Sequence, residues 1–577
     1  MARGSGSTVV GISAFYHDAA VAIVSGGIVR FAASEERFSR VKHHPDFPAR
    51  ALAAGLHHCG LSGDDVDAVV FYDKPLLTFE RVLDTWLDHA PQGFGFFAAS
   101  APEWLGGKLL HKPRIRRALR AVDPALTAPL LFSDHHRSHA ASAYFPSPFA
   151  DAAVLTLDGV GEWATASIQH GRGDALIPLR ELRFPHSLGL LYAAFTAHCG
   201  FRVNGGEYKL MGLAPYGTPR FADLILHEMM DLREDGSFQL DLSWFDWCRS
   251  AHRMTTDRFS RRVGPARAPG EPLRDHHRDL AASIQLVTEE IVLRMAREAH
   301  RLTGSSHLCL AGGVALNGVA NGRVLREGPF QRLWIQPAAG DAGGALGAAL
   351  IGAYHLGDPR TVCEPDAMET ARLGPDLTTA DATAVLDAHG VSYTVCEEPD
   401  LVAWAADRLA SGRTLGWCQG RMEFGPRALG NRSILADPRD PAVRDRLNAQ
   451  VKHRESFRPF APVVPEELAA DWFELDQPSP TMGLVVRARR PDRIPAAVHV
   501  DGTARVQTVS RDQHPRLHAL LHACGERTGV PVLINTSFNV AGEPIVCTAA
   551  DAWRCFAGTD LDDLVLDRCC VSQDPRS

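Results

Sequence analysis

The first 45 residues alternate between short apolar runs and polar or glycine-containing turns. Residues 8–15 (TVVGISAF) lead into the polar turn Tyr16–Asp18, and residues 19–24 (AAVAIV) lead into Gly26-Gly27. A third run, residues 28–36, completes the series. Apolar runs of this length between turn residues predict short strands, and the glycine pair is typical of a hairpin. The pattern therefore predicts a three-stranded meander.

The same layout returns about 140 residues further along the chain. Residues 152–158 precede the turn Gly159–Gly161, and two more apolar runs follow at 163–169 and 176–182. A unit of strand, turn, strand, glycine turn and strand that is used twice predicts an internal duplication. Duplicated units of this kind build the α/β architecture shared by actin, sugar kinases and heat-shock proteins, in which two hairpins face each other and clamp phosphate groups.

Helical spacing of apolar residues is found in other parts of the chain. Leu280–Leu302 predicts an amphipathic helix, and residues 76–129, rich in aromatic residues and arginine, predict an inserted helical lobe. Residues 307–325 and 333–356 each have the pattern of strand, glycine turn and helix. Such turns direct the N-terminus of a helix toward a bound anion.

From Gly357 to Thr378 the chain becomes polar and rich in Pro, Thr and Asp. This predicts a linker at residues 361–378, between an N-terminal domain of residues 1–360 and a C-terminal domain of residues 379–577. A chain of 577 residues is long enough for two domains with separate cores.

Composition excludes several classes of function. The net charge of −8 argues against nonspecific binding of nucleic acid. No apolar run approaches the ~20 residues of a membrane span, and the N-terminus lacks the apolar core of a signal peptide. The 12 cysteines include no CxxC pair, which favours reduced thiols and a cytoplasmic protein.

The segment from Cys418 to Pro462 has the residues expected of a phosphate site. Arg421, Arg427 and Arg432 are interspersed with glycines, and Lys452, Arg454 and Arg458 follow. Glycine lets the backbone approach a polyanion, and the arginine fork binds phosphate oxygens in pairs. The polar run NTSFN, residues 535–539, adds hydroxyl and amide groups. No Walker-type GxxxxGK[ST] occurs, so this is a different nucleotide-binding device.

Lysine is scarce, with six among the 60 basic residues. Lys42, Lys209 and Lys452 lie in segments rich in Gly, Arg or His. Since a compact ammonium differs from a guanidinium in geometry, these lysines are candidates for positions where only the ammonium suits the site.

Four residues predict a metal site. His135 and His139 are spaced i, i+4 on a helix that Asp134 would cap, so both imidazoles would face one ion. Asp158 ends a predicted strand, and Asp341 lies in a glycine-rich loop. Two imidazoles and two carboxylates suit iron(II), manganese or zinc, and the residues do not choose among them.

With these segments together, the chain resembles the NodU/CmcH family of O-carbamoyltransferases, over residues 8–570. The N-terminal part resembles the threonylcarbamoyl-transfer domain of tRNA-modifying enzymes. The C-terminal part resembles the YrdC-like fold, with its KxR and SxN signatures at Lys452–Arg454 and Ser537–Asn539. The resemblance is carried by these motifs: FYHDAA, EERFSRVKH, DHHRSHAASAYF, LDGVGEWA, GEYKLMGLAPYG, AGGVALNG, GDAGGALGAA, GRMEFGPRALGNRSIL, KHRESFRPFAP and NTSFN.

The resemblance implies a two-stage reaction. The YrdC-like domain would convert ATP, with Mg, and carbamoyl phosphate into carbamoyl adenylate, and the actin-like domain would transfer the carbamoyl group to a hydroxyl. The residues implied are His17 as the catalytic group; His135, His139, Asp158 and Asp341 as ligands of a divalent metal, iron(II) first, with manganese or zinc as alternatives; Lys42, Gly313 and Asn317 at the adenylate; and Arg427, Lys452, Arg454, Arg458, Arg505, Ser537 and Asn539 at ATP and carbamoyl phosphate.

The acceptor is expected to be a small molecule with a hydroxyl group, such as an antibiotic or another secondary metabolite. The excess of aromatic residues over carboxylates in residues 76–129 favours a neutral or apolar acceptor over a polycationic one. Nucleic acid and membrane are not expected partners, and a homodimer is an expected assembly. Two other functions stay open, a sugar-kinase-like phosphotransferase and a nucleotide-gated binding module without catalysis.

Overall fold

The structure is a computed structural model, and it describes residues 6–95, 97–98, 110–250 and 252–573. The predicted helical lobe at residues 76–129 is therefore described only in part, as two helices on either side of residues 99–109, which lie outside the described residues.

The first sheet contains the predicted meander. Its first two strands pair antiparallel, as do the second and third, and the fourth joins the first in parallel. The order across the sheet is β3-β2-β1-β4-β5. The strands are β1 (Thr8–Ser13), β2 (Ala20–Ser25), β3 (Ile28–Ser34), β4 (Ala68–Phe71) and β5 (Leu130–Phe132).

The second sheet repeats this topology, which confirms the predicted duplication and the actin-like architecture. Its order, β8-β7-β6-β11-β12, matches that of the first sheet strand for strand. The two hairpin pairings are again antiparallel, and the other two pairings are parallel. The strands of the second sheet are β6 (Asp151–Leu157), β7 (Ala164–Arg172), β8 (Ala175–Arg183), β11 (His307–Ala311) and β12 (Arg332–Ile335). Strands β9 (Met230–Leu232) and β10 (Phe238–Leu240) form a separate small hairpin.

The helices of this half pack on the sheets and on one another. The predicted amphipathic helix at Leu280–Leu302 lies within the longest of them, whose apolar face is buried in the core. The helices are α1 (Glu36–Ser39), α2 (Ala49–Cys59), α3 (Pro75–His89), α4 (His111–Val122), α5 (His135–Tyr144), α6 (Leu188–His198), α7 (Glu207–Leu213), α8 (Ala222–Leu224), α9 (Asp257–Val263), α10 (Asp275–Thr303), α11 (Gly318–Glu327) and α12 (Asp341–His355).

Helices α5 and α12 approach each other closely, and glycine makes this possible. A Cβ at Gly347 would overlap the carbonyl oxygen of Ser138, which belongs to the backbone of α5. Only glycine can occupy a helix position that touches a neighbouring backbone in this way. The contact holds the middle of α12 against the first turn of α5.

The C-terminal half is built on one mixed sheet of eight strands, in the order β13-β22-β21-β14-β15-β20-β16-β19, beside a two-stranded sheet of β17 and β18. The strands are β13 (Thr394–Val395), β14 (Leu415–Cys418), β15 (Arg432–Ala436), β16 (Ala461–Pro465), β17 (Val485–Arg487), β18 (Thr503–Arg505), β19 (Gln507–Val509), β20 (Leu533–Ser537), β21 (Asp563–Leu566) and β22 (Cys569–Ser572). The helices are α13 (Thr379–Ala388), α14 (Glu398–Ala410), α15 (Ala442–Arg446), α16 (Ala469–Trp472), α17 (Pro515–Thr528) and α18 (Ala549–Ala557).

The two halves are packed together at several points. Within the predicted linker, Met368 and Leu373 are buried in the N-terminal core together with Met422 and Phe424 of the C-terminal half. The guanidinium of Arg40 donates to the carbonyls of Pro544 and Ile545, at 2.8 and 2.7 Å. None of the helices in the described ranges is long and apolar enough to cross a membrane.

Candidate active site

One cavity of about 970 Å³ lies between the two halves. It is lined by residues from both hairpin units and from the C-terminal sheet, so it joins the two groups of predicted site residues. The predicted residues on its wall are His17, Lys42, Asp158, Gly313, Asn317, Asp341, Arg427, Lys452, Arg454, Arg458, Arg505, Ser537 and Asn539. His135 and His139 are buried directly behind Asp158 and Asp341.

The four predicted metal ligands converge at the N-terminal end of the cavity. Each of His135, His139, Asp158 and Asp341 offers a ligand atom, and these atoms all lie within 4.8 Å of one another. The two Nε2 atoms are 3.1 Å apart, and Oδ2 of Asp158 lies 2.9 Å from Nε2 of His135 and 3.3 Å from that of His139. Oδ1 of Asp341 is 3.7 Å from both imidazoles. The structure thus brings together the residues predicted from spacing.

Local structure explains this convergence. His135 opens α5, so His139 follows one turn later on the same face. Asp158 directly follows β6, and Asp341 opens α12. Glu162, which is not among the predicted site residues, accepts the backbone N–H of His135 at 3.0 Å and that of Lys74 at 2.8 Å. A carboxylate at the start of a helix is stabilised there, and this one fixes the direction of α5.

The electrostatics of the cluster suit a divalent cation. Burial would raise the pKa of Asp158, but the imidazoles of His135 and His139 hold it well below its ordinary value. Burial opposes the charged form of His135 also, yet the hydrogen bond to Asp158 and the charge of Asp341 raise its pKa to about 10. The cluster therefore holds one buried carboxylate, Asp341, and one partly buried carboxylate, Asp158, that need positive charge. Two imidazole nitrogens and two carboxylate oxygens can supply the first coordination sphere of a divalent transition metal.

His17 lies in the turn between β1 and β2, beside the same cluster. Its Nδ1 is 3.1 Å from Oδ2 of Asp18, and Oδ1 of Asp18 is 2.7 Å from Nδ1 of His43. Burial alone would lower the pKa of His17, but the carboxylates of Asp341 and Asp18 raise it to about 9. A cation bound by Asp341 would offset that negative charge and bring the pKa down again. Asp18 and His43 were missed as site residues, although both lie inside the motifs FYHDAA and EERFSRVKH.

The C-terminal end of the cavity is lined by basic side chains. The ammonium of Lys452 is buried and donates to the carbonyl and hydroxyl of Ser537. It also donates to the side-chain oxygen of Asn539 at 2.9 Å. Burial and the neighbouring Arg454 hold the pKa of Lys452 well below its ordinary value. The KxR and SxN signatures therefore meet at one lysine.

The arginines of this end carry more positive charge than their neighbours balance. The pKa of Arg427 is lowered to about 9 by burial and by the charge of Arg505. The pKa of Arg505 is lowered to about 10 by burial and by the charge of Arg458. Nε of Arg505 is buried and has no hydrogen-bond partner among the described residues. Glu455 lies 3.7 Å from Arg458, but Lys209 shares its charge at 2.7 Å. Closely spaced guanidinium groups facing a cavity are the donors that phosphate groups require.

Two arginines of the predicted phosphate segment have a different task, and the prediction is wrong for them. Arg432 is fully buried and donates to the carbonyls of Gln419 and Cys547, each at 2.9 Å. Arg421 donates to the carbonyl of Leu373 at 2.7 Å. Both side chains hold loop backbone in place, because buried carbonyls need a donor. Of the three arginines in this loop, Arg427 alone lines the cavity.

The residues predicted at the adenylate also lie on the cavity wall, where two of them have structural contacts. The N–H of Gly313 donates to Oδ1 of Asp158 at 3.1 Å. Asn317 caps α11 by accepting the N–H of Ala320 at 3.1 Å. Cys418, near the phosphate segment, is fully buried, and burial raises the pKa of its thiol to about 12. A thiol of this kind packs in the core and is not a nucleophile.

Comparisons with known proteins identify a family that covers most of the chain. The family described as carbamoyltransferase N-terminus matches residues 8–350, and the carbamoyltransferase C-terminus matches residues 406–573. An uncharacterized protein of Synechocystis sp. is 50% identical, over 97% of this chain and 95% of its own. Nodulation protein NolNO of Sinorhizobium fredii is 39% identical, over 96% of this chain and 78% of its own. Nodulation protein NolO of Bradyrhizobium diazoefficiens is 41% identical, over 77% of this chain and 79% of its own.

The fold and the site define an α/β transferase with an actin-like N-terminal half, in which one cavity connects a cluster of candidate metal ligands with a cluster of arginines. The chain belongs to the NodU/CmcH-like family of carbamoyltransferases. It is therefore an enzyme that transfers a carbamoyl group.

Proposed function

We propose that the protein transfers a carbamoyl group to a hydroxyl of a small-molecule acceptor in two stages. In the first, carbamoyl phosphate, ATP and water give carbamoyl adenylate, phosphate and pyrophosphate in the C-terminal half. In the second, the acceptor oxygen attacks the carbamoyl carbon, the bond to the adenylate phosphate breaks, and AMP leaves with its electron pair. The acceptor loses its hydroxyl proton in this step.

The observation that carries the proposal is the cavity shared by the two halves. Carbamoyl adenylate reacts with water, so an enzyme that makes and consumes it gains from a passage that excludes solvent. The five basic residues at the C-terminal end would hold the phosphates of ATP and carbamoyl phosphate: Arg427, Lys452, Arg454, Arg458 and Arg505. Lys42, Gly313 and Asn317 also line the cavity and would contact the adenylate.

At the N-terminal end, His17 would act on the acceptor hydroxyl. Asp18 contacts Nδ1 of His17, which leaves Nε2 directed at the cluster of His135, His139, Asp158 and Asp341. A divalent metal held by that cluster, iron(II) in first place and manganese or zinc as alternatives, would offset the negative charge of the adenylate phosphate. His17 with its Nε2 free would take the hydroxyl proton or donate to the developing negative charge.

The acceptor that this end favours is a neutral molecule such as an antibiotic or another secondary metabolite. The nearby carboxylates already have partners, since Asp18 contacts two histidines, and Asp158 and Asp341 belong to the metal cluster. A polycationic acceptor would need free carboxylates to bind its ammonium groups. Leu190 and Met254, which also line the cavity, offer apolar contact instead.

The first experiment is an assay of pyrophosphate release. With ATP and Mg²⁺, addition of carbamoyl phosphate is expected to start pyrophosphate release without any acceptor. A sugar kinase would form ADP with a sugar instead, and a nucleotide-gated binding module would form no pyrophosphate. Absence of carbamoyl-phosphate-dependent pyrophosphate from folded enzyme would overturn the two-stage proposal. Mass spectrometry of metabolite extracts treated with enzyme, ATP and carbamoyl phosphate would then identify the acceptor by the added carbamoyl group.

A further inference from the structure

A second group of metal-ligand side chains lies on the C-terminal half, outside the lining of the cavity. Glu467, His518 and His522 place their ligand atoms within 4.8 Å of one another. Nε2 of His518 is 2.8 Å from Oε1 of Glu467, and Nε2 of His522 is 2.7 Å from the same oxygen. Two imidazole nitrogens and one carboxylate oxygen thus converge on one point.

The two histidines are spaced i, i+4 on α17, so they lie one above the other on the same face of the helix. Their rings are 4.6 Å apart. The same spacing positions the two histidines of the cavity cluster on α5. In both clusters a carboxylate from a different element completes the set, and here it comes from the turn Glu466–Leu468 that directly follows β16.

Helix α17, which carries both histidines, packs against β16, the strand that directly precedes the turn with Glu467. On its inner face α17 buries Leu517, Leu520 and Leu521, in one core cluster with Val463 of β16. The helix and the strand are therefore fixed relative to each other, and the ligand side chains extend from a packed scaffold. A preorganised set of ligands loses little conformational entropy when it binds an ion.

The three ligand groups, two imidazoles and one carboxylate, fit a metal ion of intermediate hardness such as zinc. Zinc is bound by imidazole nitrogen and carboxylate oxygen at about 2.0–2.2 Å, in a tetrahedral arrangement whose ligands lie about 3.3 Å apart. The present contacts are shorter by about half an ångström than that ligand spacing, so a small rotation of the Glu467 side chain makes room for the ion. Glu467 and His522 are partly exposed, which leaves access for water as a fourth ligand.

We propose that Glu467, His518 and His522 form a second metal site, which binds a divalent transition-metal ion such as Zn²⁺ and ties α17 to the end of β16. The other end of β16, at Ala461, lines the cavity. The site is chemically distinct from the cavity cluster because it has one carboxylate in place of two, and its position on the surface gives it direct access to solvent.

Metal counting tests this proposal in the full-length protein. Chelator-treated protein would be titrated with ZnCl₂, and the zinc retained after gel filtration measured by elemental analysis. His522→Gln and Glu467→Gln are each expected to lose one equivalent of zinc relative to wild type, since each removes a ligand from the open site. His57→Gln, which changes an exposed helical histidine of α2, is the matched control and should retain the full amount. Equal zinc content in all four proteins would overturn the proposal.

A second measurement avoids any variant. Diethyl pyrocarbonate modifies accessible imidazoles, and peptide mass spectrometry locates the modified residues. Added Zn²⁺ is expected to protect His518 and His522, with His57 modified at an unchanged rate. If zinc leaves modification of both cluster histidines unchanged, the three residues form a surface ion pair and no metal site.

Discussion

Nε2 of His17 lies 3.7 Å from Oδ2 of Asp341, although the two residues lie near opposite ends of the N-terminal half in sequence. His17 belongs to the first hairpin unit, and Asp341 opens the helix that packs between α5 and β1. This pair places the His17 imidazole directly beside the cluster of candidate metal ligands. It also defines where the acceptor hydroxyl would have to bind.

Replacement of His17 tests its role in transfer. His17→Asn keeps hydrogen-bonding capacity but cannot take a proton at neutral pH, and a positioned base contributes about 10²–10⁴ in rate. We expect normal metal content, normal pyrophosphate release, and transfer slowed at least about a hundredfold. Single-turnover transfer from supplied carbamoyl adenylate measures this directly. His57→Gln is the control, and an unchanged transfer rate in His17→Asn would remove His17 from the mechanism.

Substitutions at the arginine–lysine end of the cavity should stop adenylate formation without stopping carbamoyl transfer. Arg427→Ala and Lys452→Ala are each expected to abolish carbamoyl-phosphate-dependent pyrophosphate release, because each removes a proposed donor to the phosphates. Transfer from supplied carbamoyl adenylate should remain largely intact. Arg172→Ala, which changes an exposed arginine of β7, serves as the control. Loss of both partial reactions in folded variants would contradict the division of labour between the two ends.

Removal of metal from the cavity cluster is expected to stop carbamoyl transfer and to leave pyrophosphate release unchanged. His139→Ala takes away one ligand of the cavity cluster, so bound metal should fall and transfer should cease while pyrophosphate release continues. Chelation of the wild-type enzyme should have the same effect, and adding back iron(II), manganese or zinc should show which ion restores transfer. The idea fails if elemental analysis of wild type finds no transition metal and chelators leave transfer unaffected.

Stability should fall in acid because of His514. Burial, with Arg372 and Arg516 nearby, lowers the pKa of this histidine to about 3, and its Nε2 lies 2.6 Å from Oδ1 of Asn431. In the unfolded chain its pKa is about 6.5, so between these values the unfolded state binds the extra proton. The free energy of unfolding is therefore unaffected by protonation of His514 above pH 6.5, and it decreases progressively as the pH falls from 6.5 toward 3.

Denaturant unfolding of wild type and His514→Gln between pH 4 and 7 measures this effect. The variant should be about 1 kcal/mol less stable at pH 7, because its amide replaces the hydrogen bond imperfectly. Its free energy of unfolding should also decline less steeply with acid. Parallel pH profiles for the two proteins would show that His514 does not carry the effect.

The contact of α5 with α12 should tolerate no side chain at Gly347. Gly347→Ala places a methyl group against the carbonyl of Ser138, and overpacking of this kind destabilises by about 1–3 kcal/mol. Since α5 carries His139 and α12 carries Asp341, metal content should fall as well. Gly95→Ala is the control, because the added Cβ there meets no atom of the described residues within 4 Å. Normal melting temperature and metal content in Gly347→Ala would show that the helices can separate without harm to the site.

Much of the fold and the family could be predicted from the sequence, because the signals are local. Alternating strands and glycine turns predicted both meanders, and helical periodicity predicted α10. The spacing of His135 and His139 follows from the pitch of an α-helix, which is independent of the rest of the protein. Family membership rests on motifs of this local kind, and the comparisons confirm it.

Contacts between distant segments were decided only by the tertiary structure. Arg421, Arg427 and Arg432 look equivalent in sequence, yet one lines the cavity and two donate to loop carbonyls, since the path of the loop determines which guanidinium meets solvent. Glu162 and Asp18 lie inside the motifs LDGVGEWA and FYHDAA, but the motifs do not show what these carboxylates contact, because a carboxylate acquires a partner only when the chain brings one near. Glu467 and the histidines of α17 are 51 and 55 residues apart. Their convergence depends on the packing of a helix against a strand, which local periodicity does not encode.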